Sequence, residues 1–292
     1  MKVRFWGTRG SIATPGNATL RYGGNTSCVE VRAGEHIIVF DAGTGIHNLG
    51  IQLGKEFGST PITVHVFISH THWDHIQGFP FFLPAYVRQN KIILYGPPGR
   101  DKTLGQIMKM QMDSDYFPVA LGDMNPNIEI VEVKDPISIG DVAITSFYLN
   151  HPAMSLAYRV SDGKRSVVYA TDNEPYKYIL PAHKDETERL GLPEYLDEKL
   201  IEFLVDTDLY IGEAQYTMEE YKAKLGWGHS PIESIVEFAV KARVKRLALF
   251  HHDPYHDDAF VDGMVRHAQE LIAAQKSRVE CFGAKEGMEV QL

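Results

Sequence analysis

Four side chains that can bind metal ions follow one apolar segment of the sequence. Residues 63–68 read as a buried strand, and the next seven residues, Ser-His-Thr-His-Trp-Asp-His, contain His70, His72, Asp74 and His75. If the chain stays extended here, the first three point to one side and a turn brings His75 beside Asp74. Four polar groups beside a buried strand need partners or a metal ion to offset their desolvation. The spacing therefore predicts a metal site at the end of this strand.

Three further candidate ligands, His151, Asp172 and His251, each follow another run that reads as a strand. Each alone fits a plain role in a turn or loop. A layered fold brings the loops at several strand ends together, and these three supply imidazole and carboxylate groups that two metal ions would still lack. His252 and His256 lie close to His251 and are alternatives for its role. We therefore predict a two-metal site with seven ligands, which are His70, His72, Asp74, His75, His151, Asp172 and His251.

Two divalent ions held in this way would carry out hydrolytic chemistry. Ions about 3.5 to 4 Å apart can share a water molecule, lower its pKa towards neutrality and direct the resulting hydroxide at an electrophilic atom. Imidazole and carboxylate donors suit zinc, and manganese or iron can occupy the same donors. We therefore expect a hydrolase that uses two divalent ions, with zinc as the first choice and manganese or iron as alternatives.

The elements that must position these ligands are short apolar runs and a few amphipathic segments. The runs, bounded by glycine and proline, predict strands, and the spaced apolar positions of longer segments predict helices. The helix at 230–242 has the clearest start, with Ser230 as N-cap, Pro231 in the first helical position and Glu233 completing a capping box. No repeat or flexible linker divides the chain, so we predict one layered α/β domain over residues 1–292. Strands are expected at 3–6, 28–32, 36–40, 63–68, 92–95, 128–133, 142–148, 156–160, 166–170, 209–212, 247–250 and 289–292, and helices at 43–57, 230–242 and 258–276.

The composition is that of an ordinary globular protein, with 44% hydrophobic and 23% charged residues. No run approaches the roughly 20 apolar residues of a membrane span, and no apolar signal segment opens the chain, so we expect a cytoplasmic protein with no membrane partner. The two cysteines, Cys28 and Cys281, lie far apart and are expected to be reduced. A net charge of -9 disfavours long nucleic-acid backbones but allows a small phosphorylated substrate held by metal ions. A homodimer is left open.

The order of these motifs, an Asp, then His-x-His-x-Asp-His, then His, Asp and His, resembles that of the metallo-β-lactamase superfamily. The resemblance spans Asp41 to His251 and implies an αββα sandwich. Within the resemblance, Asp41 would support the site rather than bind metal, and Asp172 would bridge the two ions. The first ion would be held by His70, His72 and His151, and the second by Asp74, His75 and His251, with Asp74 also counted as catalytic.

Two residues between Asp172 and His251 make the chain look most like the phosphodiesterase branch of that superfamily, which includes ribonuclease Z and small cyclic phosphodiesterases. Glu213, in Tyr-Ile-Gly-Glu-Ala, and His229, in Gly-Trp-Gly-His-Ser, resemble a catalytic pair that supports proton transfer there. The plain alternatives are a surface strand end for Glu213 and a residue ahead of a helix for His229. About 20 residues separate His151 from Asp172, which leaves no room for the tRNA-binding arm of ribonuclease Z. Transfer RNA is therefore disfavoured as a partner.

Three functions remain open, and the preferred one is hydrolysis of a small or cyclic nucleotide-like phosphodiester. The second is hydrolysis of an ester, thioester or lactone, which would dispense with Glu213 and His229 and prefer a wide apolar pocket. The third is a non-hydrolytic di-iron redox or sensor module, for which a carboxylate in place of His72 would be expected. Tyr116 and Phe117 are expected in the core rather than in a substrate wall. The remaining histidines expected to be structural are His36, His47, His65, His183 and His267.

Overall fold

Fourteen strands and eight α-helices make up the regular structure of the residues described by a computed structural model, which are 1–124, 127–179 and 192–292. The strands are β1 Lys2–Gly7, β2 Cys28–Ala33, β3 His36–Phe40, β4 Thr63–Phe67, β5 Lys91–Gly96, β6 Ile128–Glu132, β7 Ile137–Ile139, β8 Val142–Leu149, β9 Ser155–Ser161, β10 Ser166–Ala170, β11 Leu209–Glu213, β12 Arg246–Phe250, β13 Glu280–Gly283 and β14 Glu289–Gln291. The helices are α1 Gly45–Phe57, α2 Trp73–Ile76, α3 Leu104–Met110, α4 Tyr176–Ile179, α5 Leu192–Leu204, α6 Met218–Tyr221, α7 Ile232–Lys241 and α8 Asp258–Ala274.

The strands form two seven-stranded sheets, ordered β14-β1-β2-β3-β4-β5-β6 and β13-β12-β11-β10-β9-β8-β7. Strands β3 to β6 are parallel neighbours in the first sheet, as are β10 to β13 in the second. Strand β8 is antiparallel to β9, and β9 to β10, so β8 and β10 end at the same edge. Open sheets of this kind bind ligands beyond the carboxyl ends of their parallel strands.

Three apolar clusters divide the molecule into four layers. The first lies between the two sheets, where the rings of Phe40 and Tyr169 stack with centroids 5.0 Å apart. The second joins the second sheet to its covering helices, and the third joins the first sheet to its own helices. Both sheets are therefore covered by helices outside and packed on each other inside, which confirms the predicted αββα sandwich.

The start of helix α7 differs from the prediction. The helix begins at Ile232 with Pro231 as its N-cap, so the assignment of Ser230 as N-cap was wrong. The main-chain N–H of Ser230 donates to Glu213, and its hydroxyl donates to the carbonyl of Asn173. Glu233 accepts from Nε2 of His267 instead of closing a capping box. These polar groups serve tertiary contacts, which an N-cap pattern in the sequence cannot distinguish from local ones.

Several short elements were not predicted. Strands β7 and β13 have three and four residues at the sheet edges, and their apolar runs are too short to stand out. Helix α5 is amphipathic but follows a stretch whose pattern gave no clear start. His183 lies outside the described residues. Within the described ranges, no helix is both long and apolar enough to cross a membrane.

Candidate metal centre

The structure brings all seven predicted ligands to one place between the ends of the two sheets. Their donor atoms form overlapping groups in which all members lie within 4.8 Å of one another. Asp172 belongs both to a group with His70 and His75 and to one with His251, so it lies between the two halves of the cluster. The assignment of each residue to a particular ion stays a prediction that this geometry supports. The two remaining groups are His70 with His72 and His151, and Asp74 with His75 and His251.

The first half of the cluster consists of the imidazole rings of His70, His72 and His151. Nδ1 of His72 and Nε2 of His151 are 3.2 Å apart. Nδ1 of His70 contacts the hydroxyl of Ser69, while its buried Nε2 has no hydrogen-bond partner among the described residues. Burial lowers the pKa of His70 and His72, and lowers that of His151 to about 4, so these rings are neutral and offer lone pairs. A bound cation would offset the desolvation of the orphaned nitrogen.

The second half of the cluster combines imidazoles with carboxylates. Nε2 of His251 lies 3.2 Å from Oδ2 of Asp74 and 3.3 Å from Nε2 of His75. Asp172 places one oxygen 2.9 Å from Nε2 of His75 and the other 3.3 Å from Nε2 of His251. A set of imidazole and carboxylate donors at this spacing fits a divalent cation such as zinc, manganese or iron.

The backbone turns sharply where strands end at the site. Asp41, Asp172 and His251 follow β3, β10 and β12 and adopt left-handed φ values of 59°, 57° and 59°. Non-glycine residues rarely adopt this conformation, which costs free energy and is concentrated at functional sites. Asp74 also departs from the extended chain assumed from its spacing, because it lies in the first turn of helix α2. Its carboxylate still reaches the cluster from that helix.

Asp41 fixes the orientation of His75 from behind. Its Oδ2 accepts hydrogen bonds from Nδ1 of His75 at 2.7 Å, the hydroxyl of Tyr169 at 2.6 Å and the hydroxyl of Ser69 at 2.8 Å. Its Oδ1 accepts from the main-chain N–H of Ser69 at 2.7 Å. The first bond places the His75 proton on Nδ1 and leaves Nε2 to face the cluster. Asp41 is therefore positioned as a supporting residue, as the family resemblance implied.

Other supporting groups were not found from the sequence. Oε1 of Gln215 lies 2.9 Å from Nδ1 of His251, and the carbonyl of Gly228 lies 3.0 Å from Nδ1 of His151. The main-chain N–H of Ser11 donates to Oδ2 of Asp74 at 2.7 Å. Partners of this kind orient ligands and raise their basicity. Two are backbone groups, so their residue type carried no signal, and Gln215 could have been suspected only from its place two residues after Glu213.

Glu213 and His229 lie directly against the cluster. Glu213 is fully buried, which contradicts the alternative of a surface strand end, and its Oε2 is 3.1 Å from Nδ1 of His229. The same nitrogen is 3.2 Å from Oδ1 of Asp172. Burial would lower the pKa of His229, but the carboxylates of Glu213 and Asp172 outweigh it and raise this pKa to about 10. The pair thus holds a proton beside the candidate metal ligands.

The alternative ligands His252 and His256 contact residues outside the cluster. Nε2 of His252 donates to the carbonyl of Ala284 at 3.0 Å, and Nε2 of His256 contacts Glu220 at 2.7 Å. Neither belongs to a metal-binding group among the described residues. Of these neighbouring histidines, His251 is the one that faces the cluster.

Two of the cavities that border the centre are next to each other. One of about 490 Å³ is lined by candidate ligands together with Ser11, Thr71 and His229. A second, of about 550 Å³, shares Thr71 and Trp73 with it and is lined largely by apolar side chains. Tyr116 lines the second cavity and is 80% exposed, so its expected place in the core was wrong. Phe117 lines the same cavity while packing partly on the core, because its ring contacts Phe81 edge to face.

Comparison with known proteins agrees with this arrangement. Residues 36–252, more than half of the chain, match the Beta-lactamase superfamily domain. Ribonuclease Z of Picrophilus torridus is 23% identical over 303 aligned residues, covering 88% of this chain and 87% of the relative. The metallo-beta-lactamase fold protein YhfI of Bacillus subtilis has a TM-score of 0.69 at 19% identity, with 99% of this chain and 98% of that one covered. A diphosphatase of the PhnP family has a TM-score of 0.64 at 16% identity, with 100% and 97% covered. The chain thus belongs to the metallo-β-lactamase superfamily, as a distant relative of ribonuclease Z and the PhnP-type diphosphatase.

Proposed function

We propose that the chain is a dinuclear metal-dependent phosphodiesterase that acts on a small or cyclic nucleotide-like phosphodiester. The observation that carries the proposal is the buried pair of Glu213 and His229, whose Nδ1 lies within 3.2 Å of both Glu213 and Asp172. Hydrolysis of an unactivated phosphodiester expels an alkoxide, which needs a proton as it leaves. The imidazole of His229, beside the candidate metal ligands, supports the proposal because it can supply this proton.

The donor set fits two divalent cations, since its imidazoles and carboxylates converge and include the orphaned Nε2 of His70. When bound, such cations would lower the pKa of a water molecule and neutralise negative charge on the phosphate oxygens. The residues that would hold them are His70, His72 and His151 on one side, Asp74, His75 and His251 on the other, and Asp172 between them.

His229 is the residue that we assign to proton transfer, with Glu213 positioning it. Both carboxylates contact Nδ1, so Nε2 is the ring nitrogen that remains to donate to a substrate. In the reaction, the oxygen of a water molecule bonds to phosphorus and loses one proton to solvent, the phosphorus bond to the ester oxygen breaks, and that oxygen takes a proton from His229, which then regains one from solvent. Glu213 also accepts from the main-chain N–H of Ser230, which fixes the carboxylate itself.

The relatives favour phosphorus as the reacting atom. The names ribonuclease Z and diphosphatase both denote cleavage of phosphate linkages. The shape of the chain favours a small substrate, because the residues between His151 and Asp172 form only strands β9 and β10 with their short connections. This segment carries no protruding arm that could hold a transfer RNA.

Hydrolysis of an ester, thioester or lactone is the second candidate, favoured by the apolar cavity of about 550 Å³ beside the centre. The Glu213 and His229 pair counts against it, because such a reaction does not require that pair. A di-iron redox or sensor module is disfavoured, because His72 stands where a carboxylate would be expected.

The test is hydrolysis of bis(4-nitrophenyl) phosphate, cyclic nucleotides, thioesters and lactones by protein reconstituted with zinc or with manganese. We expect turnover of the phosphodiesters alone, and turnover of the acyl substrates alone would refute the proposal. His229→Ala should slow alkyl esters about 10²- to 10⁴-fold but the nitrophenyl ester far less, because nitrophenolate leaves without a proton. His267→Ala is a matched control, since His267 also binds a glutamate, 3.1 Å away, outside the site. If His229→Ala slowed both ester types equally, His229 would not be the residue that protonates the leaving group.

A further inference from the structure

The apolar cavity beside the metal centre is built from aromatic side chains. Trp73 and Tyr116 line it and are each 80% exposed. Phe81 and Phe117 also line it, with ring centroids 5.3 Å apart and planes at 78°. Large exposed aromatic side chains gathered around one concave surface mark a binding site, whereas exposed apolar residues scattered singly do not.

The cavity adjoins the one at the candidate metal centre. Thr71 and Trp73 line both, and Trp73 lies between two of the predicted ligands, His72 and Asp74. The cavity is therefore close enough to receive a substituent of a phosphate bound at the centre. The volume of about 550 Å³ is within the roughly 300–1,000 Å³ of typical small-molecule pockets.

The charge around the cavity restricts its occupant further. Among the described residues that line it, Lys102 carries the one charged side chain, in a protein whose net charge is -9. A cation here disfavours a positively charged group and suits a neutral or anionic one. Aromatic walls favour a flat ring over an aliphatic chain, because two stacked rings gain binding free energy in addition to that from the apolar area they bury.

We propose that this cavity binds the aromatic ring of the group esterified to the substrate phosphate, with the ring packed against Trp73 and Tyr116. The substrate class is accordingly a phosphodiester that carries a nucleobase or another uncharged aryl group. This inference rests on the proposed function for the phosphate but depends on separate side chains, so the two can fail separately.

The test is calorimetric binding of three phosphonates to the zinc-loaded protein, which does not require turnover. Phenylphosphonate carries a ring, cyclohexylphosphonate a non-aromatic group of similar size, and methylphosphonate no group that reaches the cavity. We expect phenylphosphonate to bind at least tenfold more tightly than either of the others. Tyr116→Ala should weaken phenylphosphonate about 5- to 150-fold, the range for loss of one stacking partner, and leave methylphosphonate unchanged.

Two further variants control this measurement. Tyr116→Phe keeps the ring and should keep the preference for phenylphosphonate. Tyr195→Ala removes an exposed tyrosine of helix α5 that does not line the cavity, and should change nothing. Equal affinity for phenyl and cyclohexyl groups, or an unchanged preference in Tyr116→Ala, would overturn the proposal. If these preferences hold but no phosphodiester is hydrolysed, the proposed function fails and the aromatic site stands.

Discussion

Replacing Gly228 with alanine should remove His151 from the metal centre, and Gly226 provides the matched control. Both glycines lie in the loop before His229, with φ values of 88° and 84°. The main-chain N–H groups of both donate to the buried carboxylate of Glu174, at 2.7 Å and 2.8 Å. Alanine at either position therefore costs a similar backbone free energy, about 1–2 kcal/mol.

The two variants differ in what the new methyl group meets. At Gly226 it would have nothing within 4 Å. At Gly228 it would lie 2.5 Å from Cδ of Pro152 and closer still to Nδ1 of His151, against an ordinary contact of 3.4 Å or more. Pro152 must then move by about 0.9 Å and the ring of His151 by more, while ligand distances in metal sites tolerate about 0.2 Å. The variant also disturbs the bond from the His151 ring to the Gly228 carbonyl.

We expect Gly228→Ala to bind one of its two zinc ions at least 100-fold more weakly than Gly226→Ala, which corresponds to about 2.7 kcal/mol. Titration against a competing chelator measures this difference. Urea unfolding of the metal-free proteins should show that both variants fold, with Gly228→Ala about 1–3 kcal/mol less stable because of its clash with Pro152 and His151. Equal zinc affinity in the two variants would show that His151 is not a ligand, and the seven-residue centre would have to be abandoned.

Four other substitutions, in three experiments, test separate parts of the structure. Asp41→Asn should weaken zinc binding about 10- to 100-fold and destabilise the fold by about 3–5 kcal/mol. The reason is that the amide NH₂ would face hydrogen-bond donors of His75, Tyr169 or Ser69. Unchanged zinc titration and urea unfolding would contradict this. His252→Gln should retain two zinc ions per chain by elemental analysis, whereas His251→Gln should lose one; the reverse result would exchange their roles. Burial lowers the pKa of His65 to about 4, from a value near 6.5 in the unfolded chain. The folded protein therefore keeps the ring neutral, and the stability that this gives is fully present above pH 6.5 and is lost as the pH falls towards 4. Between pH 7 and 5 the metal-free protein should lose about 1 kcal/mol more stability than His65→Gln, and equal losses in urea unfolding would exclude this origin.

The clustering of the candidate ligands could be predicted because strand ends and metal chemistry leave a local signature. His70, His72, Asp74 and His75 directly follow a buried strand, where a metal ion is the partner that best offsets their desolvation. The same logic found His151, Asp172 and His251 one strand at a time. The apolar runs predicted a layered α/β domain, and the superfamily resemblance implied the αββα sandwich. These features depend on residue type and on the spacing of apolar residues, and both can be read directly from a sequence.

The remainder of the site depends on distance in space. Ser230 has the sequence of an N-cap, but its polar groups bind Glu213 and Asn173, which are far away in the chain. Tyr116 lies in an apolar stretch that reads as core, yet its ring is exposed because the stretch borders a cavity. Gly228 supports His151 through a carbonyl that every residue possesses. None of these contacts follows from spacing alone.

The division of the ligands between the two sheets has a thermodynamic consequence. His70, Asp74 and His75 follow a strand of the first sheet, whereas Asp172 and His251 follow strands of the second. Cation binding and sheet packing are then reciprocally linked, so each must alter the other by the same free energy. Because of this linkage, a conservative substitution at the stacked rings of Phe40 and Tyr169, between the sheets, would change the affinity for the cations. A metal titration would therefore also report on how well the two sheets pack against each other.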